Sequence, residues 1–347
     1  MQLFNDIYQL VERLDQGASA EVWKCVDTLT NTTLALKIYS PTSDMGTKGF
    51  QMLAHEFKIM VNVNHRNLLK PLHFELFENR PFLVLPYCRH GNINKLKGTF
   101  NEKQAWTLLR DVAGGLAYLH DMQPPLIHQD IKPANILVAD NGDFMLTDFG
   151  VSTHAKARIN RNKEDSVLMS AGTLAYMPPE KFKADSSPIK LGDIWSLGAT
   201  VYEMLTSYLP FGNDGGMIQS HDSVIEPLPA SFSTLLNQMV LSCLSYETWK
   251  RPSAQDIYEQ ADEALKCIKK GKQLPQPPKS EPKQKIPQDP PLTSTSIPDS
   301  IPIIEPLPES ESISYSDDDS GKSPDFRFIA IIALVGLLIG VLIAYFI

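Results

Sequence analysis

The chain has few cysteines and no excess of basic residues. Its 347 residues include four cysteines that show neither close pairing nor the spacing of metal ligands: Cys25, Cys88, Cys243 and Cys267. This usage is typical of a reducing compartment and argues against a disulfide framework. The 32 Lys and Arg are outnumbered by 40 Asp and Glu, which gives a formal net charge of −8. Because a nucleic-acid binder needs a concentrated basic face, we expect no nucleic-acid partner.

Residues 328–347 contain no charged side chain at all. At about 1.5 Å rise per residue, this apolar run would form a helix about 30 Å long, the thickness of the hydrocarbon core of a bilayer. A buried core helix is the alternative, but such helices are usually shorter and carry polar residues. We therefore predict one C-terminal transmembrane helix over residues 327–347, with the preceding residues in the cytoplasm.

Small residues recur every four positions within this run, at Gly336, Gly340 and Ala344. On a helix they share one face and would let two backbones approach closely, which is how some membrane helices pair. Small residues are also common in membrane helices that do not pair. Homodimerisation through this face is therefore one of two open interpretations.

Residues 272–326 lack the apolar side chains that a core requires. The stretch 272–325 holds 12 of the 26 prolines, 12 Ser and Thr, a net charge of −5 and a single aromatic residue, Tyr315. Segments that are rich in proline and acidic residues stay extended because they cannot bury enough apolar surface. The pattern predicts a disordered linker that tethers the preceding domain.

Residues 1–271 have the composition of a folded domain, with aromatic residues throughout. Runs of β-branched and aromatic residues predict strands at 21–26, 33–39 and 81–85, and a helical stretch lies between them at about 50–62. Apolar residues at three-and-four spacing predict helices at 103–120, 192–205 and 232–244. We therefore expect an α+β domain with a small β-rich N-lobe, about 1–86, and a larger helical C-lobe, about 90–271. The cleft between two such lobes is a usual place for a ligand.

The middle of the chain carries the residues with the clearest chemistry. Residues 128–138 read His-Gln-Asp-Ile-Lys-Pro-Ala-Asn-Ile-Leu-Val, and residues 148–150 read Asp-Phe-Gly. Asp130, Asn135 and Asp148 offer hard oxygen atoms, and Lys132 adds a cation among them. Hard oxygens suit Mg²⁺ and a cation suits a transferring phosphoryl group, so this set could hold a metal and a polyphosphate.

The order and spacing of these motifs resemble the protein kinase family over about residues 8–268. The landmarks follow one another along the chain: residues 17–22 at the glycine-rich phosphate loop, Lys37 in Ala-Leu-Lys, Glu56, His-Gln-Asp at 128–130 with Asn135, Asp-Phe-Gly at 148–150, Gly-Thr-Leu-Ala-Tyr-Met-Pro-Pro-Glu at 172–180, Asp-Ile-Trp-Ser-Leu-Gly at 193–198, and Arg251. Eight landmarks in the family's order make a chance match remote. The resemblance implies the two-lobed protein kinase fold.

What the resemblance implies for the nucleotide is ATP with Mg²⁺, or Mn²⁺ in its place. Lys37 would hold the α- and β-phosphates and pair with Glu56, while Asp148 and Asn135 would bind the metal. The remaining nucleotide contacts would come from the phosphate loop, the walls of the adenine site and the hinge between the lobes: Gly17, Val22, Ala35, Leu137, Pro86 and Cys88.

For the transfer step, the resemblance implies that Asp130 orients the acceptor hydroxyl and takes its proton. Lys132 would neutralise charge that develops on the transferred group. Lys132 and Thr173 are the residues that serine/threonine kinases carry at these places, so the expected partners are proteins with Ser or Thr acceptors. Residues 128–135 and 191–200 look most like bacterial kinases of the eukaryotic type. Together with the predicted span, this resemblance implies a single-pass protein with a cytoplasmic kinase domain, in a bacterium at the plasma membrane, whereas in a eukaryote several organelles compete.

Two departures from the family pattern bear on activity. Asp15 and Ala20 stand where the first and third glycines of the phosphate loop would be, so we expect weaker ATP binding. Gln129 replaces the arginine that would receive an activation-segment phosphate. We therefore expect activity that does not depend on phosphorylation of the nearby hydroxyls, Thr153, Ser166 and Ser170.

The degenerate phosphate loop also supports an alternative function. The chain could be a pseudokinase scaffold that binds nucleotide or partners at the membrane without efficient transfer. All the residues that the resemblance assigns to transfer are nevertheless present in the sequence: Lys37, Glu56, Asp130, Lys132, Asn135 and Asp148. We therefore favour an active kinase.

Overall fold

A computed structural model describes residues 3–17, 20–39, 54, 57–58, 60–149, 171–183 and 189–274. All of them fall within the unit Met1–Gln288. Several predicted features lie outside the described residues: Glu56, Gly150, the hydroxyls of Thr153, Ser166 and Ser170, the linker beyond residue 274 and the span 327–347 with Gly336, Gly340 and Ala344. In the part that is described, no helix is long and apolar enough to cross a membrane.

The first part of the chain forms a six-stranded antiparallel sheet with the order β1-β2-β3-β4-β6-β5. Its strands are β1 (Leu3–Phe4), β2 (Tyr8–Gln16), β3 (Ala20–Asp27), β4 (Thr32–Tyr39), β5 (His73–Phe77) and β6 (Arg80–Pro86). The three strands predicted from the sequence correspond to β3, β4 and β6. The predicted α+β organisation, with a β-rich part before a helical part, is confirmed.

The side chains of β4 point alternately to the two faces of this sheet. Because side chains alternate along a strand, Leu36 and Ile38 face a small core that the sheet builds by itself. Ala35 and Tyr39 belong to the larger core of the domain, and Lys37 lies between them on the same face. The alternation of β4 therefore places Lys37 on the face of the sheet that also carries Ala35.

The second part of the chain is helical. Its helices are α1 (Glu102–Asp121), α2 (Ala171–Leu174), α3 (Lys190–Thr206), α4 (Thr234–Cys243) and α5 (Ala254–Lys269). The three helices predicted from apolar spacing match α1, α3 and α4 to within two residues at each end. Reciprocal side-chain caps fix the start of α1, between Asn101 and Gln104, and the start of α5, between Ser253 and Asp256. Helix α1 packs against α5 and α3.

A two-stranded hairpin lies at the centre of the domain, formed by β7 (Ile136–Val138) and β8 (Phe144–Leu146). The backbone of Leu146 exchanges hydrogen bonds with Asn67 and Leu69 at 2.8 and 2.9 Å. The buried carboxylate of Asp111 in α1 accepts the backbone N–H of Phe144 at 2.9 Å. The hairpin is therefore fixed to both parts of the domain, and it holds the segments before β7 and after β8 side by side.

Candidate active site

A buried carboxylate in the first turn of α3 fixes the loop that carries Asp130. Asp193 is 1% exposed, and its two oxygens accept the backbone N–H groups of His128 and Gln129 at 2.9 and 2.8 Å. A ring nitrogen of His120 lies 2.9 Å from the same carboxylate. A carboxylate that accepts several hydrogen bonds inside a protein is a strong anchor. Asp193 therefore sets the backbone that leads into Asp130, and it touches no predicted substrate position.

His128 joins this loop to the segment after β8. Its Nδ1 accepts the backbone N–H of Asp130 at 3.3 Å, and its Nε2 lies 3.0 Å from the carbonyl oxygen of Thr147. This pattern assigns the proton to Nε2. Phe149 is 1% exposed and lies in the main core. Both residues therefore act by packing and hydrogen bonding around Asp130 and Asp148.

Asp130 and Lys132 lie close together at the end of the loop. Nζ of Lys132 is 2.9 Å from Oδ1 of Asp130 and donates to the hydroxyl of Thr173 at 3.0 Å. The structure thus brings a carboxylate, an ammonium and the end of the activation segment to one point. A carboxylate beside a cation is equipped to accept a proton while negative charge develops next to it.

Asn135 and Asp148 are the predicted metal ligands, and backbone contacts bring them into neighbouring positions. The amide nitrogen of Asn135 donates to the carbonyl oxygen of Asp130 at 2.7 Å. The carbonyl oxygen of Asn135 accepts the N–H of Thr147, the residue before Asp148, at 3.0 Å.

This donor set fits Mg²⁺. No group of three or more His, Cys, Asp or Glu side chains with the geometry of a metal site occurs among the residues that the structure describes. Mg²⁺ does not need such a cage, because it is usually held by one or two protein oxygens together with water and substrate phosphates. One amide oxygen and one carboxylate, from Asn135 and Asp148, match that requirement.

Lys37 reaches across from the sheet to Asp148. Its Nζ lies 2.6 Å from Oδ1 of Asp148, and the two side chains are 13% and 26% exposed. The pairing predicted for Lys37 is with Glu56, which lies outside the described residues. A largely buried cation beside a carboxylate that is predicted to bind metal provides one place where phosphate oxygens and a metal ion can meet.

The predicted adenine contacts come from the sheet and from the hairpin β7–β8. Val22 in β3 pairs with Lys37 in β4. Ala35 is 7% exposed, and Leu137 packs against the same core. Pro86 ends β6, the strand beside β4. Val22 and Ala35 thus share the face of the sheet that carries Lys37, and the adenine site itself stays a prediction.

Cys88 follows this strand and is half-buried. Burial, with a smaller contribution from the charge of Asp140, raises the pKa of its thiol above the ordinary value. A thiol with a raised pKa stays protonated at neutral pH and is a poor nucleophile. Cys88 is therefore suited to packing in the hinge rather than to covalent chemistry.

The loop between β2 and β3 is closed by a hydrogen bond from the N–H of Gly17 to the carbonyl oxygen of Ala20 at 2.8 Å. Ala20 is buried in the main core. Asp15 is exposed and pairs with Val22 across the two strands, which places its charge beside a predicted adenine contact. The weaker ATP binding expected from these two residues stays a prediction.

Comparison with known proteins identifies the family of this chain. The model of the protein kinase domain matches residues 8–261. The chain belongs to the protein kinase family. A probable serine/threonine-protein kinase of Dictyostelium discoideum is 32% identical over 250 residues, which cover 70% of this chain and 38% of that protein.

Further relatives of this kinase carry names of the same class. The serine/threonine-protein kinase TOUSLED of Arabidopsis thaliana is 28% identical over 279 residues, covering 74% of this chain and 41% of the relative. The serine/threonine-protein kinase tousled-like 2 of Homo sapiens is 29% identical over 277 residues, covering 73% and 36%. The kinase thus spans about two fifths of the length of these relatives. The predicted resemblance to eukaryotic-type serine/threonine kinases is confirmed, and the bacterial-like and membrane-anchored parts of that prediction stay predictions.

The end of the activation segment of this kinase is held by an ion pair inside the helical part. Arg251 donates to both oxygens of Glu180 at 2.7 and 2.9 Å. It also donates to three carbonyl oxygens at 2.8 to 3.3 Å, those of Ser245, Leu191 and Tyr246. Its side chain is completely buried. Both charged residues are therefore structural.

Two side chains that the sequence did not single out also support the loop of this kinase, one of them through Asp193. One is His120, which approaches Asp193 from the last turn of α1. A lone polar residue on the apolar face of a helix is the only signal for it. The other is Lys181, whose Nζ donates to Oε1 of Gln129 at 2.8 Å. No sequence pattern marks that contact.

Proposed function

We propose that the protein transfers the γ-phosphoryl group of ATP to serine and threonine hydroxyls of protein substrates. The observation that carries this proposal is one connected arrangement. Lys37 contacts Asp148, and the residue before Asp148 is hydrogen-bonded to Asn135, whose amide in turn contacts Asp130. Four groups that phosphoryl transfer would use, on Lys37, Asp148, Asn135 and Asp130, thereby lie close to one another.

Each residue then has a definite task. Asp130 accepts the proton of the incoming hydroxyl through its carboxylate, and Lys132 beside it offsets the negative charge that develops on the transferred group. Lys37 holds the phosphates of the nucleotide. Mg²⁺, held by Asn135 and Asp148, supplies charge neutralisation at the phosphates when it is bound. Val22, Ala35, Leu137 and the hinge orient the adenine.

The acceptor class rests on the contact between Lys132 and Thr173 and on the names of the relatives. The Lys132–Thr173 hydrogen bond, 3.0 Å long, ties the loop of Asp130 to the end of the activation segment. All the relatives described above are named serine/threonine kinases. The same two residues are those that the sequence resemblance assigns to this class.

Transfer of the γ-phosphate is the direct test of this function. We expect the purified full-length chain, with labelled ATP and Mg²⁺, to phosphorylate serine or threonine of a generic basic protein. Phosphoamino-acid analysis of the labelled product identifies the acceptor. Nucleotide binding that shifts the melting temperature without any label transfer would instead indicate a scaffold, the alternative suggested by the degenerate phosphate loop.

We also propose that a helix at residues 327–347 tethers the kinase to a membrane, in a bacterium the plasma membrane, with the kinase domain in the cytoplasm. Support comes from the length of this run and its lack of charge. A second copy of the chain could pair through Gly336, Gly340 and Ala344. The linker would let the domain reach substrates near the membrane surface.

Membrane fractionation tests the tether. We expect the full-length chain to sediment with membranes and to resist extraction with alkaline carbonate, because a spanning apolar helix is not released by salt or base. A matched chain that ends at residue 326 should appear in the supernatant. Equal release of both chains by carbonate would contradict the proposal.

A further inference from the structure

Gln129, the residue directly before Asp130, is held at both of its ends. Its backbone N–H donates to Asp193 at 2.8 Å, and its side-chain oxygen accepts from Nζ of Lys181 at 2.8 Å. Its φ of 64° lies in the left-handed region, which non-glycine residues seldom adopt. A strained backbone angle persists only where surrounding contacts enforce it. The two hydrogen bonds of Gln129 are such contacts.

Lys181 is itself firmly placed. It lies in the turn Pro179–Phe182, directly after Glu180, which Arg251 binds through two hydrogen bonds. Its backbone N–H donates to the carbonyl oxygen of Pro178 at 3.1 Å. Partial burial lowers the pKa of its ammonium group, although the charges of Asp193 and Glu180 act in the opposite direction. A half-buried ammonium group gains most from an acceptor that stays in place, and Gln129 supplies one.

We propose that Lys181 is a positioning residue for Asp130. Through Gln129 it fixes the left-handed turn that aims the catalytic carboxylate, and it links that turn to the end of the activation segment without a phosphate group. This inference deepens the proposed kinase function and rests on it. Gln129 is neutral, and its side-chain oxygen already accepts a hydrogen bond from the ammonium group of Lys181. A phosphate is therefore not needed to hold this turn.

The charge of Lys181 also predicts what an arginine would do at position 129. Its guanidinium group would take the place of the amide that now accepts from Lys181, so two cations would face each other in a half-buried site. We expect Gln129→Arg to lower kcat by at least as much as loss of Lys181. If an activation-segment phosphate instead paired with the new arginine, Gln129→Arg would keep or raise kcat, and the inference would be wrong.

Steady-state kinetics of the full-length chain test the positioning role. We expect Lys181→Met to lower kcat by about tenfold, the effect of losing one hydrogen bond to a charged group. The KM for ATP should stay within about twofold, because Lys181 is placed against the loop of Asp130 and not against the nucleotide contacts. Lys181→Arg, which keeps a charged donor, should restore most of the loss.

Lys183 provides a matched control two residues further along. It is exposed, and its ammonium group lies over the ring of Tyr246 at 5.1 Å, away from Gln129. We expect Lys183→Met to retain wild-type kcat. Gln129→Met should lose as much activity as Lys181→Met, and the double variant should lose no more than either single variant, because both changes remove the same contact.

Hydrogen exchange separates failure of this inference from failure of the kinase function. The amides of residues 128–131 should exchange faster in Lys181→Met than in the wild type or in Lys183→Met, whether or not the chain transfers phosphate. If the wild-type chain lacked transfer activity, the proposed function would be wrong. The exchange result alone would then decide whether Lys181 positions the loop of Asp130. Unchanged exchange and unchanged kcat in Lys181→Met would overturn the inference and leave the kinase function intact.

Phosphatase treatment tests whether the link needs a phosphate. We expect the treated wild-type chain to retain its kcat, because the contact between Lys181 and Gln129 contains no phosphate. Loss of activity that returns on rephosphorylation would overturn this part of the inference.

Discussion

We expect Asp130→Asn to lower kcat by about 10²–10⁴-fold, the usual contribution of a positioned general base. An asparagine amide keeps the size of the side chain but cannot accept the proton of the acceptor hydroxyl. The backbone of residue 130 remains held by His128 and by Asn135, so the loop keeps its shape. ATP binding should therefore be nearly unchanged, because Lys37 and Asp148 are untouched. Labelled phosphate transfer and nucleotide titration measure the two effects separately.

A second Asp→Asn change serves as the control for this result. Asp140 lies on the surface, with 67% of its side chain exposed, and pairs with the exposed Arg89. We expect Asp140→Asn to have wild-type kcat, since exposed ion pairs contribute little. If Asp130→Asn retained more than a tenth of the wild-type kcat, Asp130 would not be the base. If the protein acted only as a scaffold, this substitution would change none of its phenotypes.

The helices of the domain could be predicted from the sequence because their buried residues recur with the period of a helix. Helix α1 buries one broad face, and helix α3 buries nearly its whole surface. Apolar residues therefore recur in both at three-and-four spacing. Strand β2 gives no such signal. Six of its nine residues are exposed, so its charged side chains do not alternate with apolar ones. Backbone pairing with β3 makes it a strand, and backbone pairing leaves no trace in side-chain pattern.

The candidate site could be predicted in part for a similar reason. Asp130, Lys132 and Asn135 lie within six residues of one another, so their proximity follows from the chain itself. Lys37 and Asp148 are 111 residues apart, and only the resemblance to a family brought them together before the structure did. The contact between Lys181 and Gln129 could not be predicted, because it depends on where the turn after α2 meets the catalytic loop. Tertiary packing alone determines that.

Loss of the buried guanidinium group at position 251 should produce the largest effect on stability. Arg251→Ala removes five hydrogen bonds and leaves the carboxylate of Glu180, whose side chain is 14% exposed, without its cation. Breaking a buried ion pair from one side costs about 3–5 kcal/mol. For a domain of this size we expect the melting temperature to fall by about 10 °C. Differential scanning calorimetry measures this change directly.

Lys250 is the matched control, because it also pairs with a glutamate but lies on the surface. Its side chain is 51% exposed and contacts Glu247. Lys250→Ala should shift the melting temperature by no more than about 2 °C, since a surface ion pair contributes about 1 kcal/mol or less. Adding Glu180→Gln to Arg251→Ala should recover part of the loss, because the second change removes the stranded charge. If Arg251→Ala and Lys250→Ala melted at the same temperature, the pair between Arg251 and Glu180 would not hold the activation segment in place.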